Sequence, residues 1–343
     1  MTGVPGPGLA DLPRPAEADE RGPRILFWGP DGPITALYRE RLPEGWRFSA
    51  LEHRDDEAGK LRHLADADVV VHSDNTPVTR QHLEAAPHLR LVHRQGVGLD
   101  AVDLDLLRER SLALAVCSTG TGPVVAEHTV MLMMAAGRHL IRLHEETAVQ
   151  GGWPKWAYRN VSTGLHGSTV GLVGFGRIGQ AVARAVLAFG SDVVVHRRSA
   201  APLGEEWEGL PVRGADDLDE VFAESDLVSL HCPLLPENRG MVDARRLGLM
   251  RDHSVFVNTA RGGLVVEADL VEALRAGRPA AAGLDVFAQE PVAPDNPLFA
   301  LPNVVVTPHC GAGTRQTAAL KAQSVLDNIA RFWSGRPLED RVL

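Results

Sequence analysis

Gly174, Gly176 and Gly179 stand in the spacing G-x-G-x-x-G, as GFGRIG, directly after the apolar run TVGLV and at the opening of a helical pattern. In that setting the first glycine permits a tight turn, the second lets backbone approach a pyrophosphate, and the third lets helix and strand pack closely. The anion would rest on the helix start, around Arg177 and Ile178, where free N–H groups and the helix dipole favour negative charge. About twenty residues further on, an NAD site wants an Asp or Glu for the adenosine ribose hydroxyls. Here the next strand, VVVHRRS, ends in His196, Arg197, Arg198 and Ser199, with no carboxylate. Two guanidiniums and a hydroxyl suit a 2'-phosphate, so NADP(H) is expected to be preferred over NAD(H). The rival reading has the arginines face solvent and tolerate either cofactor.

Three further segments carry side chains capable of ionic and acid–base work: NTARG with Arg261, GLDVFAQEP with Asp285 and Glu290, and TPHCGAGT with His309. Each lies at or just after an expected strand end, the rim where open parallel sheets bind ligands. A lone Arg or Glu is usually a solvated charge, and one histidine among 14 is usually a surface or core residue. It is their occurrence together that gives them weight.

The elements that position these residues follow from periodicity. RILFWG (24–29), ADVVVHS (67–73) and LRLVHRQG (89–96) read as buried strands, with TPVTRQHLEAAP a Thr-capped helix that Pro87 ends, so a first parallel α/β layer is expected. VVAEHTVMLMMAAGRHLIRLHEET (124–147) is apolar around most of its circumference and predicts one long, largely buried helix. GGWPKWAYRN breaks it and reads as a loop between domains. Beyond it, strands and helices alternate through STVGLVGFG, DVVVHRR, a helix near Leu218–Glu224, DLVSLHCP, SVFVNTAR, LVEALRAG, AAGLDVF and NVVVTPH, which predicts a second, doubly wound parallel sheet. The C-terminal TRQTAALKAQSVLDNIARFWSG has helical spacing and should pack on the first domain.

The 343 residues favour two domains. A net charge of −9 disfavours nucleic acid as a partner, since that binding rests on clustered cations, and no apolar run is long enough for a membrane. Cys117, Cys232 and Cys310 show no CxxC or Cys/His clustering, so neither a disulfide framework nor a metal site is expected, and a reducing cytoplasm fits. Residues 1–23, rich in Pro, Gly and acids and without the apolar core of a signal peptide, read as a disordered tail.

RQGVGLDAVD, VVAEHTVMLMM, GLVGFGRIGQ, LHCPLLPENRGMVD, VFVNTARGGLVVEADLVEAL, AAGLDVFAQEP and TPHCGAGT occur in an order and spacing that resemble the D-isomer-specific 2-hydroxyacid dehydrogenase family from about residue 24 to the C-terminus. The resemblance implies an α/β fold of two Rossmann-like doubly wound domains, the NAD(P)-binding domain (123–307) inserted into a flavodoxin-like substrate domain (24–122 and 308–343). The active site would lie in a cleft that hinge closure keeps dry. It implies that Arg261 grips the substrate carboxylate and carbonyl, that His309 is the acid/base, and that Glu290 hydrogen-bonds the imidazole and favours its charged form. The Gly96–Val97–Gly98 backbone would donate to the substrate carboxylate, and Asp285 would bind the nicotinamide carboxamide. The backbones of His231–Cys232–Pro233 and Thr259–Ala260, with His309 and Gly311, would border the cofactor. The long helix after Pro123 would pack in a homodimer.

The chain departs from the family at Cys310, where relatives often carry Ile or another small or apolar residue, and at Thr119–Gly120–Thr121–Gly122, in place of a Pro-Gly-x-Asn loop. Both adjoin the expected cleft and leave the acid's side chain open, as do the loops near Ser73–Thr76, Arg94–Gly98 and Trp153–Tyr158. Glu290 argues against formate oxidation, which uses Gln there. The expected activity is NADPH-linked reduction of a glyoxylate- or hydroxypyruvate-type 2-oxoacid. Its rivals are an NAD-linked phosphoglycerate- or phosphite-type dehydrogenase and a nucleotide-sensing, corepressor-like binding protein.

Overall fold

The computed structural model describes residues 21–73, 76–100, 102–199 and 203–343. The expected tail thus lies almost wholly outside the described residues, as do Asp74 and Asn75 of one expected substrate loop. The chain forms two compact units, one of residues up to Gly120 with Thr314–Leu343, the other Thr121–Gly313.

The first unit runs β1 (Arg24–Pro30), α1 (Pro33–Arg41), β2 (Arg47–Leu51), α2 (Glu57–Leu64), β3 (Val69–His72), α3 (Arg80–Glu84), β4 (Leu91–Arg94), α4 (Leu104–Glu109) and β5 (Ala113–Ala115). Its five strands are all parallel, in the order β2-β1-β3-β4-β5. Strand residues alternate between two apolar layers, Ile25, Phe27, Val69, Val71 and Leu91 on one face and Leu26, Trp28, Val70, Val92 and Leu114 on the other, as a sheet covered on both sides requires. The C-terminal helix, Arg315–Trp333, puts Ala322, Val325, Leu326 and Ile329 into the first layer, as its spacing predicts. Thr79 caps α3 by accepting from the His82 amide. Connection order reverses between β1 and β3, and there Ser73 Oγ donates to the Trp28 carbonyl at 2.8 Å.

The second unit runs α5 (Thr121–Gly137), α6 (Leu140–His144), β6 (Thr169–Val173), α7 (Arg177–Ala188), β7 (Asp192–His196), β8 (Val212–Gly214), α8 (Leu218–Glu224), β9 (Leu227–Leu230), α9 (Ala244–Leu249), β10 (Val255–Asn258), α10 (Glu267–Arg275), β11 (Ala281–Leu284) and β12 (Val304–Val306). Its seven parallel strands lie in the order β12-β11-β10-β9-β6-β7-β8, the doubly wound arrangement, with its switch point between β6 and β9.

One expectation fails here. The single helix over 124–147 is broken after Gly137: His139 adopts the left-handed region at φ 52°, and a one-turn α6 followed by a π-turn (Glu145–Val149) replaces the continuation. α5 is largely buried, whereas α6 and the π-turn bury no residue, so nothing apolar holds the helix together beyond Gly137. GGWPKWAYRN is a loop as expected, but it lies inside the second unit rather than between the two.

Candidate active site

In the second unit the glycine loop is shaped by the chain's own backbone. Gly174 has φ 102°, and a Cβ there would stand 2.7 Å from the His231 carbonyl; a Cβ on Gly179 would stand 2.3 Å from the Gly174 carbonyl oxygen. Both positions exclude a side chain, which matches the turn and packing roles expected of them. At Gly176 a Cβ would meet nothing within 4 Å, and this residue is the N-cap of the 12-residue α7, where it can offer no side-chain cap. The ends of β6 and β9 bring the His231–Cys232 backbone against this loop, and His231 donates its amide to the Val173 carbonyl at 2.7 Å. His231 Nε2 is buried and unpartnered, and burial holds the imidazole far down, at about 3. Glycines closed by backbone on two sides and open on the third fit a dinucleotide's pyrophosphate.

At the end of β7, Arg197 is half-buried while Arg198 and Ser199 are exposed. Arg198 is 3.7 Å from Glu237, a carboxylate delivered by the segment after β9 rather than by β7. Both partners are largely exposed, so the pair is weak and screened.

Beyond β10, β11 and β12, three turns converge. His309 Nδ1 is 2.6 Å from Glu290 Oε2, and Glu290 Oε1 accepts from the Phe287 amide at 3.1 Å. Burial pushes the Glu290 carboxyl up, but the bond to His309, the imidazole's charge, the Phe287 amide and the Arg261 guanidinium together outweigh it and hold the acid below its usual range. It is therefore ionised at neutral pH, and whatever stability the lowered value brings is lost only as pH falls through it. His309 itself sits at φ 52°, a left-handed backbone rare outside glycine and Asn, and the residues on either side show what keeps it there. Asp285, 2% exposed, accepts from Thr307 Oγ1 at 2.6 Å and from the Cys310 and Gly311 amides at 2.9 Å each. Its two oxygens thus staple both sides of the His309 turn to β11. His128 of α5 lies 3.0 Å from Thr307 Oγ1 and 3.3 Å from Asp285 Oδ1.

Arg261 is positioned by similar means. Asn258, fully buried at the end of β10, donates through Nδ2 to the Arg261 carbonyl at 2.9 Å and accepts the Ala260 amide at 3.0 Å. Thr259 bonds Thr129 of α5 at 2.8 Å. A Cβ on Gly262 would lie 1.9 Å from the Phe287 carbonyl, so the Arg261 turn is pressed against the very turn that carries Glu290. Arg261, Glu290 and His309 are thereby brought together, and Asp285 takes the supporting place among them.

In the first unit, Gly96, Val97 and Gly98 follow β4. Arg94, 6% exposed, donates through Nε to the Gly98 carbonyl at 2.9 Å, and the Cys117 amide donates to the Gly96 carbonyl at 3.2 Å. Val97 is exposed. The Trp153–Tyr158 loop lines a groove of about 640 Å³ in the second unit with Arg138, Leu143 and Thr147, and Arg261, Glu290 and His309 are not among its lining residues.

Sequence reasoning passed over Asn258, Gly262, Thr307 and His128. Asn258 and Gly262 sit in the NTARG segment itself, and their only local signal is a polar residue closing a strand and a glycine directly after the candidate arginine. Nothing local marks Thr307 or His128.

Residues 130–311 match the model of the D-isomer specific 2-hydroxyacid dehydrogenase, NAD binding domain. The chain is 35% identical to a D-3-phosphoglycerate dehydrogenase of Methanocaldococcus jannaschii over 82% of its own length, but it spans about half of that relative, 53%. It is 32% identical to a hydroxypyruvate reductase of Blautia hydrogenotrophica over 81% of this chain and 86% of the relative. Among solved structures, the NADPH-dependent glyoxylate/hydroxypyruvate reductase of Sinorhizobium meliloti, in complex with citrate, superposes with a TM-score of 0.78 at 30% identity, covering 93% of this chain and 97% of that one.

Proposed function

The chain belongs to the D-isomer specific 2-hydroxyacid dehydrogenase family, and from that premise we propose that it reduces a small 2-oxoacid of the glyoxylate or hydroxypyruvate type with NADPH. The observation that carries this reading is the Glu290–His309 pair at 2.6 Å with the Arg261 charge acting on the same carboxylate. A bound nicotinamide supplies the hydride. Arg261 grips the substrate carboxylate and carbonyl through its planar fork. His309 gives the proton on Nε2 to the carbonyl oxygen as the carbon is reduced, so no free alkoxide forms, while Nδ1 stays on Glu290. The amides of Gly96, Val97 and Gly98 receive the substrate carboxylate. Asp285 keeps the His309 turn in register, and the rim it builds borders the nicotinamide end of the cofactor.

NADPH rather than NADH is supported by the absence of a carboxylate at the C-terminal end of β7 and by Arg197, Arg198 and Ser199 there, in line with the named cofactor of the Sinorhizobium relative. The competing NAD-linked oxidation draws on the likeness to phosphoglycerate dehydrogenases and on Glu237 beside Arg198. The unit Thr121–Gly313 is read as the cofactor domain and the other as the substrate domain. Leu140, Ile141, Val149, Trp153 (81% exposed), Trp156 and Val161 form an exposed apolar stretch read as the face against a second copy.

Initial-rate oxidation of NADPH and NADH, side by side, with glyoxylate, hydroxypyruvate, pyruvate and phenylpyruvate tests the reading. Faster turnover with NADPH on the two small polar acids is expected. Faster turnover with NADH would keep the reaction and refute the role of Arg197 and Arg198, and no turnover with any acid would move the assignment to a binding protein.

A further inference from the structure

Cys310, His128 and Asp285 come from three distant parts of the sequence, yet one donor atom of each lies within 4.8 Å of the others in the second unit. Imidazole nitrogen, carboxylate oxygen and thiolate sulfur are the donor types that zinc takes. The His128 Nε2–Asp285 Oδ1 separation is 3.3 Å. Ligand atoms in a tetrahedral site stand roughly 3.3–3.8 Å apart, given zinc–ligand lengths of about 2.0–2.3 Å, so small side-chain rotations complete the set. Three protein donors leave a fourth position for water. Asp285 is 2% exposed, whereas Cys310 is exposed, so the cluster has a route to solvent.

We propose that His128, Asp285 and Cys310 form an inhibitory site for a thiophilic divalent cation, Zn²⁺ above all, one residue from His309. The exchange balances without any oxidant. Cys310 gives its proton to solvent as the sulfur–metal bond forms, and His128 carries its proton on Nδ1 so that Nε2 presents a lone pair to the metal. Thr307 Oγ1, which now lies between His128 Nε2 at 3.0 Å and Asp285 Oδ1 at 2.6 Å, turns away. Inhibition follows from the architecture: the carboxylate the metal recruits is the one that holds the Cys310 and Gly311 amides. Drawing it to the metal loosens the turn that fixes His309. The cation class is set by Cys310, because oxygen-seeking Mg²⁺ and Ca²⁺ gain nothing from a thiolate.

The test uses the reduced, chelator-treated protein with Zn²⁺ or Co²⁺ as the probe. One Zn²⁺ per chain is expected by equilibrium dialysis, with release of a proton. Co²⁺ should give a thiolate-to-cobalt charge-transfer band, and Mg²⁺ at the same concentration should neither bind nor inhibit. Cys310→Ser should lose the band and weaken Zn²⁺ binding by at least about 10–100-fold, the loss that even indirect damage to a metal site brings. Zn²⁺ inhibition of NAD(P)H oxidation, read as a ratio to each variant's own metal-free rate, should be lost in Cys310→Ser. His128→Gln, a second variant that keeps a polar side chain of similar reach, should weaken Zn²⁺ binding likewise. No band in the parent protein, or equal Zn²⁺ affinity in parent and Cys310→Ser, overturns the proposal. Dialysis and the band are read without substrate, so they stand or fall separately from the assignment of the acid.

Discussion

A methyl group placed on Gly262, after β10, would lie 1.9 Å from the backbone of Phe287, while one placed on Gly96, after β4, would meet nothing within 4 Å. Both glycines sit in loops assigned to the substrate, but different things make them glycines. Gly262 is required by the chain's own packing, because the turn that offers Arg261 is seated on the turn that offers Glu290. Gly96 has no such neighbour, so the space over it is available to a ligand. The same contrast separates the Asp285-stapled turn of His309, whose supports are all internal, from the strand end at Arg197–Ser199, where side chains reach outward. A motif glycine or arginine therefore carries two meanings, internal fit and ligand contact, and only the local geometry separates them.

The contrast can be broken or sharpened by substitution. The largest effect is expected for His309→Ala, on the internally held rim: turnover should fall about 10²–10⁴-fold, the range of positioned acid–base catalysis, with cofactor affinity nearly unchanged in equilibrium titrations. Unchanged kcat would remove His309 from the chemistry. Gly262→Ala comes next. Forcing a methyl into backbone should destabilise the unit by about 1–3 kcal/mol or more, seen as a melting temperature lower by several degrees, with kcat falling as Arg261 and Glu290 part. A variant as stable and active as the parent would show that the two turns are not seated on one another. Arg197→Asp should leave the melting temperature alone and move the kcat/KM ratio of NADPH to NADH by about tenfold to a hundredfold toward NADH, since hydrogen bonds to charged groups contribute roughly 1.5–3 kcal/mol. No movement would place the phosphate elsewhere. The smallest effect is expected at Gly96→Ala: stability unchanged, and KM for the 2-oxoacid raised by up to about tenfold, the equivalent of one contact near 1.4 kcal/mol. A fall in melting temperature there would erase the distinction drawn between the two glycines.

Legibility in the sequence followed burial for most strands, the exceptions being β12, which buries no residue and was read from NVVVTPH, and β5, buried throughout but only three residues long. The central parallel strands are covered on both faces, so TVGLV, DVVVH and VFVN read as unbroken apolar runs and were placed from the sequence. β2, with only Leu51 fully buried, and β8, with none, are edge strands and left no such trace. The break after Gly137 was invisible because residues 138–147 keep helix-forming composition; what they lack is a surface to bury against, a tertiary property. At the candidate site, Arg261, Glu290 and His309 were singled out through strand-end position and family resemblance. Their supports were not, because the Asp285–Thr307–His128 arrangement joins β11, β12 and α5 and has no local pattern. The same holds for the convergence of Cys310 with His128, which a count of cysteine spacings cannot register.

The excursion that begins after Gly137 has its own consequence. The Thr163 amide donates to the Gly137 carbonyl at 2.9 Å, a Cβ on Gly137 would stand 2.4 Å from the Thr163 carbonyl oxygen, and Thr163 Oγ1 donates to the His253 carbonyl at 2.6 Å. The 25 residues between are closed at the base like a drawstring. Once the ends of a loop are tied, doubling its length costs only about 0.6 kcal/mol, so its contents can be lengthened, trimmed or exchanged while the sheet beneath is left alone. The exposed apolar side chains Leu140, Ile141, Val149, Trp153, Trp156 and Val161 are thus carried on a detachable cassette, whose surface can change under selection without renegotiating the rim that Asp285 holds.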